Sequence, residues 1–526
     1  MKKTLFKLTA AIALAGMLAG AASAEMVWNR GNTCEPESLD PHKTSAVCEA
    51  NILRDLFEGL VMSDARGELI PGVAESWTIS PDGTVYAFKL RSDAIWSNGD
   101  PVTADDFVYA LGRLENPETG AEYASMLYVI KNAEAINTGK VKPETIGARG
   151  IDAKTLEITL NAPTPYFLEM LTHQAAYPVH RATVEKFGPE WPKAGNLVSN
   201  GAFTLADWIP NDHVTIVRNP KFHDAETVKL DAVKFHPTKD SLTAMKRFEA
   251  GELDSNDDLP TEQLTELRAK FGNQIHVGPY LGIYYYAIKL DKEPWNNPKI
   301  RRAISLAIDR DYLAEKVWAN TMFAAYSMVP PGITGYKPYQ AGYAGTDQIA
   351  REQEAAAILA DLGYGPNNPL KAEIRIYNSD NNQNTAVAIQ EQLRALGVEA
   401  SILNTDVGTH YGIMEQGGDF DLGLGGWIAD YKDPETFLAL ARKASGNNFS
   451  HYSSSAFERL MDEAATAGGE PEKRMQLLAQ AEKVMIDDLA FIPLLYFSYH
   501  NIVSSRIKGW EENALDVHPS RFVLIE

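Results

Sequence analysis

Lys2, Lys3 and Lys7 give this chain a positive opening, an uncharged stretch runs from Leu8 to Ala22, and the small-residue pattern Ala22-Ser23-Ala24 precedes Glu25. This is the pattern of a secretory signal peptide cleaved after Ala24. The apolar stretch is shorter than the roughly 20 residues a membrane span needs, and no comparable run follows, so a soluble exported product is expected. No cysteine stands at the cleavage point to carry a lipid, so an outer membrane has to retain the product. The expected compartment is the periplasm of a Gram-negative-type envelope.

Export sets the reading of the only two cysteines, Cys34 and Cys48. In a compartment that oxidises thiols they are expected to pair, with two buried thiols as the alternative. Closing a loop of that size is worth roughly 3 kcal/mol in the chain-entropy picture. Two cysteines also exclude an iron–sulfur cluster or a Cys₄ zinc site within one chain. The 526 residues are 45% hydrophobic and 23% charged, enough to bury a large core and, on length alone, about 2–4 domains. The net charge of −21 becomes −24 once the three leader lysines are removed, which argues against nucleic acid or an anionic membrane surface as a partner.

Strand and helix signals intermix along the chain, so the expected class is mixed α/β. The run from Val85, VYAFKLR, alternates as a half-buried strand would; PVTADDFVYALGRL then reads as an amphipathic helix with Thr103 at its cap and Asp106 in its first turn. KTLEITL from Lys154 is a second alternating strand, and VKFHP followed by SLTAMKRFEAGEL a strand and helix. Helices are expected over PKIRRAISLAIDRDYLAEKV from Pro298 and IAREQEAAAILADLGY from Ile349, the latter stopped by Gly363. The segment from Lys371 reads strand, turn, helix, strand, an α/β order. No Pro/Gly/Ser linker separates modules, so several domains would have to share the chain by repeated crossings.

The strong enzyme motifs are missing: no Walker loop, H-E-x-x-H, G-x-S-x-G or C-x-x-C is present, and Gly423, Gly425 and Gly426 do not complete a dinucleotide fingerprint. His173 and His180 lie seven residues apart across Pro178 and read as ordinary residues, not metal ligands. No cofactor is expected. Two clusters stand out: Tyr280, Tyr284, Tyr285 and Tyr286 in YLGIYYYAIKL, and Trp427, Asp430 and Tyr431 in GGWIADYKDPETF. The tyrosines fit core packing and a ligand role equally. Asp430 lies among apolar and aromatic residues, where a carboxylate is costly to bury without a cation. That cation is either a neighbour such as Lys432 or a ligand ammonium.

These residues carry a resemblance. SLDPHK at Ser38, NILRDLFEGLVMSD at Asn51, PGVAESW at Pro71, WSNGDPVTADDFVYA at Trp96, NGAFTLADW at Asn200, YYY at Tyr284 and GWIADYKDPETFL at Gly426 occur in the order found in the periplasmic oligopeptide-binding proteins of ABC importers, extracellular solute-binding family 5. The chain resembles that family from about Asn32 to its C-terminus. The resemblance implies a two-lobed periplasmic-binding-protein-like fold of the type II, large peptide-binding class, with an inserted domain. After a signal peptide of residues 1–24, lobe I would comprise 25–58, 182–281 and 497–526, the inserted domain II 59–181, and lobe III 282–496. An extended peptide would lie between the lobes, held by backbone hydrogen bonds as in strand addition. Asp430 would take its ammonium; the backbone of Gly426, Trp427 and Val47 would pair with its main chain; Tyr123, Tyr280 and Tyr285 would line the cleft, with Asp257 near a further contact. Cys34 and Cys48 would then brace the chain beside Val47.

The resemblance also shows departures. Enteric members carry an arginine at the position of Leu424, glutamates at Ala287 and Ser45, a histidine near Gln383, and a cystine at Gly282 and Ile428. The arginine and histidine help receive a peptide carboxylate, so a different terminus or length preference is implied. The expected function is therefore a monomeric receptor, not an enzyme, that passes an oligopeptide or peptide-like ligand to inner-membrane ABC permease subunits. A rival reading keeps the receptor and changes the ligand to an opine, haem, a metal chelate or an oligosaccharide; a hydrolase is the remote rival, for which no nucleophile, base and oxyanion set can be named.

Overall fold

The computed structural model describes residues 25–44 and 46–526; the export leader and Ser45 lie outside the described residues. One sheet of eleven strands runs through the molecule. In spatial order it comprises Val398–Thr405, Leu370–Tyr377, Leu422–Ile428, Ile275–Ile288, Phe491–Val503, Ser255–Asn256, Val27–Asn32, Ala232–Pro237, His213–Arg218 and Phe203–Ile209, with Phe323–Ala324 paired to the fifth. A separate antiparallel sheet of four strands, in the order Ala74–Ile79, Val85–Leu90, Thr155–Thr159 and Ala148–Asp152, forms the additional layer.

The buried apolar residues fall into two large clusters. One is built from Leu281 to Tyr496 around Trp295, Ile304, Tyr286 and Phe437; the other joins Trp28, Phe88, Trp96, Trp191 and Phe235 to Val503 and Val523 near the C-terminus. A third, small cluster holds Ala244, Leu267 and Ile502. The molecule is thus a two-lobed α/β structure, and its chain passes between lobes along two long antiparallel strands, Ile275–Ile288 and Phe491–Val503. Their ladder breaks between Pro279 and Ile283. A break of register bends a strand and re-aims its side chains, here at Tyr280.

Local signals in the sequence have visible physical counterparts. The Thr103 N–H and hydroxyl both donate to the Asp106 carboxylate at 2.8 and 2.9 Å, fixing the start of the helix Ala104–Glu115. Gly363, at φ +84°, ends the helix Gln348–Asp361. Leu370–Tyr377 and Val398–Thr405 pair in parallel across the helix Asp380–Arg394. The long helix expected from Pro298 is instead broken: Pro298–Ala307 stops at Ile308, and Asp309 caps a new short turn by accepting from Tyr312 N at 3.0 Å. The cause is Arg310, fully buried, whose guanidinium donates to the carbonyls of Ser305, Ile308 and Pro493 at 3.0, 3.1 and 2.7 Å. A buried guanidinium needs those acceptors, and supplying them ends the regular helix. Among the described residues no helix is long and apolar enough to cross a membrane.

Candidate functional site

A cavity of about 540 Å³ opens between the two lobes. One wall is the helix Val47–Leu56, whose residues Val47, Ala50 and Arg54 face the cavity at the three- and four-residue spacing that puts side chains on one helical face. Its start is fastened from several directions. The Cys34–Cys48 disulfide, with Cα atoms 5.7 Å apart, ties it to the preceding loop. The Glu49 carboxylate accepts from the N–H groups of Ala46 and Glu37 at 3.1 and 2.8 Å, and Asn32 Nδ2 donates to Cys48 O at 2.9 Å. Val47 is left 59% exposed toward the opening, unusual for a valine in so braced a segment.

The facing wall is the strand Leu422–Ile428 and the turn after it. On one edge this strand is antiparallel to Ile275–Ile288, with Gly426 opposite Tyr284 and Trp427 opposite Ile283. On the other edge its parallel pairing to Ile374–Arg375 ends at Gly423. From Leu424 onward the second edge has no strand partner among the described residues; the Leu424 carbonyl is taken by His410 Nε2 at 2.7 Å, and the backbone beyond it presents an edge to which another strand can add. Trp427 is fixed by its indole N–H donating to Thr436 Oγ1 at 3.1 Å. Two residues beyond the strand comes Asp430, between Ala429, whose N–H donates to Leu281 O at 2.8 Å, and Tyr431, stacked on Tyr166 at 4.8 Å.

The electrostatics of the cavity centre on Asp430. Its carboxylate is open to the cleft, yet the surrounding walls strip water from it and push its pKa from 3.8 up to about 6, with desolvation as the cause. Lys432 does not relieve it: that ammonium reaches across to Glu68 Oε1 at 2.7 Å and Gly67 O at 3.1 Å. The internal-ion-pair alternative is therefore excluded for Lys432. Tyr123 stacks on His173 at 4.7 Å, and burial followed by the Asp430 charge raises its pKa. Burial also raises Tyr280 to about 12 and drops His173 to about 3, so His173 is neutral.

Six of the residues singled out in the sequence, Val47, Tyr123, Tyr280, Gly426, Trp427 and Asp430, line this one cavity. Tyr285 does not: it is 0% exposed, lies beneath Gly425 and packs edge-on against Phe491 at 5.1 Å. The strand carrying it is buried on both faces, so no tyrosine of the YYY run reaches the opening. Asp257 is also elsewhere, accepting from Arg30 Nη2 and Asn51 Nδ2 at 3.0 Å each, and so anchors the Val47–Leu56 helix from behind. Gly282 and Ile428 face each other in the ladder, and Leu424 and Ala287 are core residues. His180 pairs with Asp100 and Thr183, apart from His173, and among the described residues no cluster could hold a metal ion. Arg54, Tyr177, Tyr377, Tyr411 and Phe497 line the cavity without having been singled out, far apart in sequence and with no local signal; His173, read from the sequence as an ordinary residue, lines it too.

Two α/β lobes around a cleft, with an open strand edge and a cation-free carboxylate inside it, define a solute-binding protein. The chain belongs to the bacterial extracellular solute-binding proteins, family 5, whose middle-region profile matches residues 68–449. It is 38% identical over 485 residues to the periplasmic oligopeptide-binding protein OppA of Escherichia coli K12, covering 91% of this chain and 89% of that one. The fold is similar to that of the murein tripeptide-binding protein MppA in its unliganded open form, with a TM-score of 0.89, 33% identity and 96% and 98% of the two chains covered. It is similar at a TM-score of 0.74 to Haemophilus influenzae OppA in complex with the peptide RPPGFSPFR, with 33% identity and 96% and 99% covered.

Proposed function

We propose that this protein is a periplasmic receptor that captures oligopeptides in extended form between its lobes and delivers them to an inner-membrane ABC transporter, without chemistry on the ligand. The observation that carries this reading is the desolvated, cation-free carboxylate of Asp430 at the end of the strand edge Gly425–Ile428, which has no strand partner among the described residues. A peptide supplies both missing partners: a main chain for the edge and an α-ammonium for the carboxylate. The peptide bound by the Haemophilus relative supports the same ligand class, and the closer likeness to an unliganded open relative supports a receptor poised to close.

In this reading Val47, Gly426 and Trp427 hold the peptide main chain and Tyr123 and Tyr280 flank it. Lobe I consists of 25–58, 182–281 and 497–526, domain II of 59–181 and lobe III of 282–496. The receptor acts as a monomer. The test is calorimetric titration of Asp430→Ala with peptides bearing free or acetylated N-termini. Loss of one member of a desolvated charge pair costs about 2–5 kcal/mol, so affinity for free N-termini should fall at least about thirtyfold. Unchanged affinity overturns the ammonium assignment.

A further inference from the structure

Arg54 lines the cleft and has no role in the peptide-receptor reading. It sits two helical turns after Val47 on the same face of the Val47–Leu56 helix, with its Cα about 10 Å further along the helix axis. Around it are Tyr177, Tyr280 and His173 from the same cavity. Among the described residues it forms no salt bridge and no side-chain hydrogen bond. The adjacent carboxylate, Asp55, is turned away: it accepts from the Ser520 N–H at 2.8 Å and from the Ser520 hydroxyl. His173, made neutral by burial, offers no competing positive charge and no anion.

A guanidinium in such surroundings is expensive. Burial holds Arg54 below its ordinary pKa, opposed by Tyr177, Tyr280 and the charge of Asp55 and reinforced by the charge of Arg30. Two other buried arginines have strong acceptors: Arg310 donates to three carbonyls, and both Nη groups of Arg474 donate to the Asp433 carboxylate at 2.6 and 2.7 Å. Arg54 alone among these faces the cavity with its donors free. Leu424 and Ala287 both lie in the core, so neither position offers a charge to a ligand group.

We infer that Arg54 is the carboxylate-receiving group of this cleft, so that the preferred ligand is a dipolar peptide whose ammonium meets Asp430 and whose carboxylate meets Arg54. The inference rests on the peptide-receptor reading and adds the second charge. The carboxylate can be the peptide's C-terminus or an acidic side chain. Planar bidentate pairing of guanidinium with carboxylate is the same chemistry in either case.

The test uses two matched pairs of probes titrated into ligand-stripped protein: tri-alanine against tri-alanine amide, and Ala-Glu-Ala amide against Ala-Gln-Ala amide. The wild type should prefer the carboxylate member of one pair by about tenfold or more, and the pair showing it identifies the source. In Arg54→Gln that preference should fall below about threefold. Equal binding within both pairs by the wild type, or a preference that survives Arg54→Gln, overturns the inference. Because the wild-type comparison needs no variant, it decides even if Arg54→Gln folds poorly. Failure of all four probes to bind overturns the peptide reading itself and this inference with it.

Discussion

Lys432 and Glu68 meet 2.7 Å apart across the cleft, one from the segment that carries Asp430 and the other from the opposite side of the molecule. The Lys432 side chain is almost wholly buried, and Glu68 also accepts from Thr334 at 2.8 Å. Together with the Tyr166–Tyr431 stack, the contact joins the two sides at the rim next to the carboxylate. Its consequence is chemical as well as mechanical: it keeps the nearest ammonium in sequence away from Asp430.

The first prediction concerns that contact. Glu68→Gln frees the Lys432 ammonium to compete with a ligand for Asp430. Because Glu68 is substantially exposed, the pair itself is worth at most about 1 kcal/mol. Affinity for peptides with free N-termini should therefore fall roughly two- to fivefold, and recover in Glu68→Gln/Lys432→Met. Calorimetry on the single and double variants checks this, and a single variant that binds as the wild type refutes it.

Binding should also depend on pH through Asp430. Its pKa in the free protein is about 6, raised from 3.8 by desolvation. A ligand ammonium needs the ionised carboxylate, so below about pH 6 a proton has to leave on binding, and affinity should drop about tenfold for each further pH unit. Acetylated peptides should lack this slope. The sign for the empty protein is opposite: a raised carboxyl pKa gives stability that is full below 3.8 and is lost as pH rises through about 6. Raising the pH across that window should lower the melting temperature of the free receptor and spare the complex.

The disulfide offers a third test. Cys34 and Cys48 close a short loop, and the helix that presents Val47 begins beside it. Loss of the crosslink in Cys34→Ser/Cys48→Ser should destabilise that region by roughly 3 kcal/mol, seen as an earlier first transition in urea. Peptide affinity should fall with it, because Val47 loses the brace that holds it exposed at the opening. Normal affinity in the double variant would show that Glu49 and Asn32 suffice to hold the helix start.

How much of this was legible in the sequence depends on how local the signal is. The Thr103 cap, the Gly363 stop and the strand-helix-strand order after Lys371 rest on neighbours in sequence, and all are present. Asp430 was legible because a carboxylate among aromatic residues contradicts its surroundings. Arg54 was not, because its peculiarity lies in partners it lacks in three dimensions. The break at Ile308 was hidden for the same reason: it depends on Arg310 reaching the Pro493 carbonyl on a distant strand. Tyr285 misled because a strand covered on both faces has no alternation to show which side chains face a ligand.

The position of Tyr285 yields the last prediction. Its ring lies so close under the neighbouring strand that a Cβ on Gly425 would come within 2.4 Å of its Cζ, whereas a Cβ on Gly426 would meet nothing nearer than Phe497 Cζ at 3.6 Å. Gly425→Ala should therefore push the strand off Tyr285, costing about 1–3 kcal/mol as overpacked cores do, and weaken peptide binding by displacing the edge that carries Trp427. Gly426→Ala should fold normally. Tyr285→Phe removes a buried hydroxyl that has no hydrogen-bond partner among the described residues, so stability should hold or rise by up to about 1 kcal/mol. If Tyr285 serves only the core, peptide affinity in that variant equals the wild type; a loss of affinity with intact stability would return Tyr285 to the cleft.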